Sequence, residues 1–190
     1  MKKILTLVAV ISVLMLAVAS FHYYKQEWFK VSVSGGYSVM MPGKPETEFV
    51  SGDEEADGSP SVELYRYVIP ADVNGGSVKH AGKYELEIES YSENQDFISA
   101  APAQGINAFE RLMVATDSAE LINKKELSGA NYKGYELFVK WKRHDTYCRL
   151  RFIDVESDRK SLKLRACSEG GDSYEVGEGA NKFFDSLRLR

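Results

Sequence analysis

Tyr84-Glu85-Leu86-Glu87-Ile88-Glu89 alternates large apolar and acidic side chains at every step. A period of two puts all three apolar residues on one side of an extended chain and all three carboxylates on the other, so the segment reads as a strand with one buried and one acidic face. The same period recurs on both sides of it. Val62 to Ile69 is a strand closed by Pro70, with Val62, Leu64 and Val68 sharing a face with Arg66, and Tyr65, Tyr67 and Ile69 sharing the other with Glu63. Both of its faces are largely apolar or aromatic, which suits a strand inside a sheet covered on both sides.

Further along, Leu121 to Leu127 reads as a strand carrying Lys124 and Lys125, and Ser128-Gly129-Ala130-Asn131 turns the chain. Tyr135, Leu137, Val139 and Trp141 then alternate against Glu136, Phe138 and Lys140. Tyr147 to Asp154 and Leu162 to Ala166 form a hairpin around Glu156-Ser157-Asp158-Arg159. Toward the N-terminus, Trp28 to Met41 reads as a strand pair or one bent strand with a turn at Gly35-Gly36, ended by Pro42 and Pro45. Glu46 to Pro60 is acidic and rich in Gly and Ser, an exposed loop in which Thr47 to Val50 could add a short strand. Ala71 to Gly82 is a second loop.

The period changes between Asp96 and Thr116. Phe97, Ile98, Ile106, Phe109, Leu112 and Met113 suit an amphipathic helix, best from about Ala101 onward, with Pro102 in its first turn. Gly177 to Ser186 is a short helix carrying Phe183 and Phe184, followed by a closing strand at Leu187 to Leu189. The expected fold is α+β: a single antiparallel sheet of about six strands flanked by one long and one short helix. With 190 residues the chain has room for one domain, over 28–190.

Residues 1–19 have a different character. Lys2 and Lys3 precede an uncharged run from Ile4 to Leu16, and Ala17-Val18-Ala19 supplies the small-x-small pattern that a signal peptidase accepts. The run is short for a stable span, which favours a cleaved signal peptide. Phe21, Tyr23, Tyr24 and Trp28 follow at once, as in the interfacial belt of an uncleaved anchor at residues 4–19. In both readings residues 20–27 are a tether and the domain lies outside the cytoplasm, periplasmic or secreted, because the positive flank stays inside. The net charge of −4 becomes −6, from 22 basic and 28 acidic side chains, once Lys2 and Lys3 are removed. That balance argues against general nucleic-acid binding, which needs a positive field.

Three stretches resemble a known family. Trp28-Phe29-Lys30 followed by Gly36-Tyr37-Ser38-Val39-Met40-Met41-Pro42-Gly43-Lys44-Pro45 resembles the opening strand of small bacterial domains with the PsbP-like α/β/α fold. Lys133-Gly134-Tyr135-Glu136-Leu137 resembles their central G-Y-E segment, and Phe183-Phe184-Asp185-Ser186-Leu187 their terminal helix. The motifs frame nearly the whole chain from Trp28 to Leu189 and carry fold rather than chemistry. The resemblance implies an exported or membrane-attached binding or assembly module, and it brings no catalytic residues.

The residues themselves supply few candidates for chemistry. Cys148 and Cys167 sit on the two arms of the last hairpin, in a compartment that favours disulfides. A turn centred between Ser157 and Asp158 sets them opposite each other, close enough for a bridge. The side-chain alternation disagrees: Leu150 and Phe152 share a face with Cys148, whereas Leu162 and Leu164 put Cys167 on the other. A bulge or an end of pairing near Ser168 would reconcile the two, so bridge and free thiols both stay open. Two cysteines without a third and fourth ligand do not make a metal site.

His144-Asp145 is a turn with no third group behind the imidazole, and no Gly-x-Ser-x-Gly elbow is present, so no catalytic residue, cofactor or metal is expected. Lys140, Lys142, Arg149, Arg151, Lys163 and Arg165 alternate along the C-terminal strands. They read as a basic sheet face for an anionic partner, or as charges that pair across strands with Glu85, Glu87 and Glu89. The functional expectation is a non-enzymatic extracytoplasmic binding or assembly module whose partner is an envelope protein or the membrane surface. The alternative is an envelope enzyme or small-ligand carrier whose site assembles from distant residues.

Overall fold

A computed structural model of the chain describes residues 27–50, 60–69, 82–93, 119–142, 146–168 and 178–189. Nine strands and one α-helix appear among them. In chain order they are β1 (Phe29–Ser32), β2 (Ser38–Met41), β3 (Glu46–Val50), β4 (Ser61–Val68), β5 (Lys83–Ser90), β6 (Ala119–Ser128), β7 (Lys133–Trp141), β8 (Thr146–Val155), β9 (Lys160–Cys167) and α1 (Glu178–Asp185). Seven strands form one sheet in the order β3-β4-β5-β9-β8-β7-β6, every neighbour antiparallel. The other two, β1 and β2, form a separate ribbon.

This corrects the expected single sheet of about six strands flanked by a long and a short helix. The opening ribbon leaves the main sheet, and Glu46–Val50, read mostly as loop, becomes the seventh strand of that sheet. The reason lies in its position. All five residues of β3 are exposed, so no buried face imposed an apolar alternation on Glu-Thr-Glu-Phe-Val. The helix expected over 96–116 falls outside the described residues, as do the export segment at 1–19 and all but Glu27 of the tether. The C-terminal helix is in place. The closing strand is reduced to one bridge, in which Ser38 and Arg188 exchange backbone hydrogen bonds at 3.2 and 2.9 Å.

Register assigns every side chain to a face. On one face Tyr84, Leu86 and Ile88 of β5 stand beside Leu162, Leu164 and Ala166 of β9 and Ile153 and Val155 of β8. The β1–β2 ribbon and α1 close over them, adding Val31, Val39, Met41, Phe183 and Phe184 to one buried core. Trp28, Tyr84 and Phe183 meet edge to face in that core. Gly35 and Gly36, both at φ near +80°, make the turn that folds β2 back on β1, a conformation glycine adopts without penalty. Gly134 has a different reason to be glycine: a Cβ there would lie 2.1 Å from the Phe152 carbonyl oxygen on the neighbouring strand.

The opposite face is divided. Across β5 and β9 it is charged, with Glu85, Glu87 and Glu89 beside Lys163 and Arg165. Across β7 and β8 it is apolar, with Leu137, Val139, Cys148 and Leu150 buried and Tyr135, Trp141 and Phe152 packed against them.

Candidate functional site

The structure joins Cys148 and Cys167 as a disulfide, with an S–S distance of 2.08 Å. The two residues are directly opposed across β8 and β9. No bulge is needed to bring them together. Opposed residues share a face, and the register sets Leu150 against Arg165 and Phe152 against Lys163. The leucines of β9 therefore point away from Leu150 and Phe152. Reading Leu150 and Phe152 with Leu162 and Leu164 as one stripe assumed a sheet with one apolar face, and this one has apolar regions on both.

The same register separates five of the six basic residues expected on one face. Lys163 and Arg165 lie on the face shared with Glu85, Glu87 and Glu89. Arg149, Arg151 and Lys140 lie on the other, with Glu136 and Phe138. Each group is tied down locally. Lys163 bonds Glu87 at 2.8 Å and also reaches Glu89, while Arg165, Arg66 and Lys83 converge on Glu85. The Glu85 side chain is only 4% exposed. Burial pushes its carboxyl upward, but Lys83, Arg66 and Arg165 outweigh burial and hold it below the ordinary glutamate range. Burial likewise works against the Lys163 ammonium, and Glu87 and Glu89 reverse it, raising its pKa.

Glu136 is the hub of the opposite face. It accepts from Arg149 at 2.9 Å and from the Arg151 Nε at 2.9 Å. Both guanidinium groups lie over the Phe184 ring, 4.8 and 4.9 Å from its centre, and Arg151 also donates to the Phe184 carbonyl at 2.8 Å. Burial raises the Glu136 carboxyl and the two arginines outweigh it, so its pKa falls below the usual value. Lys140 lies 5.2 Å above the Tyr147 ring. The Phe184 contacts, unlike the opposed glutamates, were hard to foresee: they depend on α1 returning across the sheet from about thirty positions away.

Beside this hub, α1 and the segment after it leave a groove of about 480 Å³ against the β6–β7 end of the sheet. Leu127, Ile153, Leu187 and Leu189 form its apolar walls, and Arg151 and Arg188 stand in its lining with Asp185. A second cleft of about 240 Å³ adjoins it at Tyr132 and runs along the Gly129–Lys133 turn to Asp154 and Glu156. Two tyrosines elsewhere are shifted by burial and one neighbour each. Burial and the Glu63 carboxylate push Tyr65 up to about 12. Tyr37 is raised by burial and by its hydrogen bond to Asp158.

Among the described residues, no group of three or more His, Cys, Asp and Glu is placed to hold a metal ion. His22, His80, His144 and Asp145 lie outside them.

No protein-family model and no curated protein sequence matches this chain. Solved structures do, and the PsbP-like resemblance recurs there. PsbP of the cyanobacterium Synechocystis sp. PCC 6803 is similar at 13% identity, over 87% of this chain and 94% of that one, with a TM-score of 0.46. The Ran-binding protein Mog1p of Saccharomyces cerevisiae is similar at 8% identity, over 86% and 96% of the two chains, with a TM-score of 0.46. The immunity protein TplEi of Pseudomonas aeruginosa is similar at 14% identity, over 85% of this chain and 58% of that one, with a TM-score of 0.38.

Proposed function

We propose that this chain is a non-enzymatic binding or assembly module of the cell envelope, working outside the cytoplasm on another envelope protein or on the membrane surface. The groove beside Glu136 carries the reading. Its walls are leucine and isoleucine, and its lining arginine Arg151 is already held by Glu136 and the Phe184 carbonyl. Such a surface gains by being covered. The export-like residues 1–19 and the Cys148–Cys167 bridge support an oxidising, extracytoplasmic setting. Among the described residues no helix is long and apolar enough to cross a membrane.

The test is photo-crosslinking in native cells from a probe at Leu189, inside the groove, against the same probe at Lys30, which is exposed and outside its lining. One reproducible envelope adduct from Leu189 and none from Lys30 supports the module. The intact mass of the recovered chain also shows whether Met1 to Ala19 remains. A second reading has its own observation: about 480 Å³ falls within the size of small-molecule sites, roughly 300–1,000 Å³. Silence from both probes, with a thermal shift produced by a small-ligand library, would move the assignment to a ligand carrier.

A further inference from the structure

Among the described residues the large sheet ends in two edges, and they are built differently. β6 carries Lys124 and Lys125 in mid-strand, and its register slips between Leu121 and Asn123. Edge lysines and bulges are the usual devices that stop another strand from adding to a sheet. β3 has neither. It runs in unbroken register with β4 over all five residues, from Glu46 opposite Arg66 to Val50 opposite Val62. Every one of its residues is exposed, Phe49 at 63% and Val50 at 53%. Among the described residues no strand pairs with its outer side, which presents backbone donors and acceptors beside an exposed aromatic ring.

We infer that the β3 edge takes up an extended, basic segment of a partner protein by strand addition. The side chains choose the occupant. Glu46, Glu48 and Val50 project to one face, and Thr47 and Phe49 to the other. The sequence then continues through Asp53, Glu54, Glu55 and Asp57. A segment with Lys or Arg at alternate positions sets its cations beside Glu46 and Glu48, and an apolar residue between them lies against Phe49. A second copy of β3 is the wrong partner, because it would bring two acidic strands side by side. Five residues in extended form span about 17 Å, enough for a short linear motif.

The experiment titrates the full chain with a fluorescent Lys-Val-Lys-Phe-Lys-Val peptide. Saturable binding is expected, weakened about tenfold by F49K and by E46K/E48K. The same peptide with alternate amides N-methylated keeps its charge and loses the backbone ladder, so it should not bind. A Glu-for-Lys peptide should not bind either. Equal binding of the N-methylated peptide, or binding unchanged by F49K, would overturn strand addition. Concentration-dependent dimerisation of the chain that F49K abolishes would overturn the basic segment in favour of a second copy. Because Phe49 and Leu189 are probed separately, this inference and the groove reading stand or fall independently.

Discussion

The face of the sheet opposite α1 carries two kinds of cohesion side by side, divided along β9. On one side of the divide, Glu85, Glu87 and Glu89 meet Lys163, Arg165 and Arg66 in a ladder of ion pairs. On the other, Leu137, Val139 and Leu150 are buried together, with the Cys148–Cys167 bridge fastening them to β9. The apolar half gains from keeping water away, whatever the pH. The ionic half gains only while its carboxylates are charged, and its cations stay a third to a half exposed, so solvent already shares much of the attraction. The two halves should therefore fail under different insults, and substitutions can separate them.

The largest effect is expected from Leu137→Ala. Leu137 is wholly buried, and its truncation should cost about 2–5 kcal/mol of unfolding free energy. Denaturant titrations at pH 7 and pH 4 should give the same loss; a loss that disappears in acid would place Leu137 in the ionic regime. Reducing the disulfide comes next, at about 2–4 kcal/mol, since it releases a loop of some twenty residues in the unfolded chain. Midpoints with and without reductant, checked against the Cys148→Ser/Cys167→Ser pair, measure it.

Glu85→Ala should cost less, about 1–2 kcal/mol at pH 7, because Arg66, Lys83 and Arg165 can turn to water once released. Its pH dependence is the signature. The folded-state pKa of Glu85 is depressed, so its contribution is complete above the unfolded value of about 4.3. It is lost as pH falls through that value toward the lower folded one. The gap between wild type and variant should therefore close steadily below about pH 4. Lys163→Ala should have the smallest effect, about 0.5 kcal/mol, and should shrink further at high salt. A salt-insensitive loss of several kcal/mol would mean that the ladder behaves as a buried network.

Much of this face was legible in the sequence, because alternation records which side of a strand meets water. Tyr84 to Glu89 gave itself away as a strand with one acidic side, and Gly177 to Ser186 as a short helix. What alternation does not record is which strands lie next to one another, and so whether two apolar stripes point the same way. That is why Leu162 and Leu164 misdirected the reading of Cys167, and why Lys163 and Arg165 fell on the face opposite Arg149 and Arg151. β3 was obscured for another reason: a strand exposed along its whole length has no buried side to leave a mark. The groove is the hardest case. Its walls come from β6, β8 and the residues after α1, and no local pattern links Leu127 to Leu189.

The bridge between Ser38 and Arg188, with the Ser186 hydroxyl accepting from the Met40 amide at 2.7 Å, ties one of the first strands to the last described residues. A ribosome makes these partners in the opposite order from the one in which they are needed. Val31, Tyr37, Val39 and Met41 emerge about 140 residues before Phe183 and Phe184, the aromatic rings that help to cover them. Until α1 has been made, the opening ribbon can rest on the sheet but lacks the helix that completes its cover. Loss of residues 178–189 would therefore uncover one of the first strands to be made, far from the lesion in sequence.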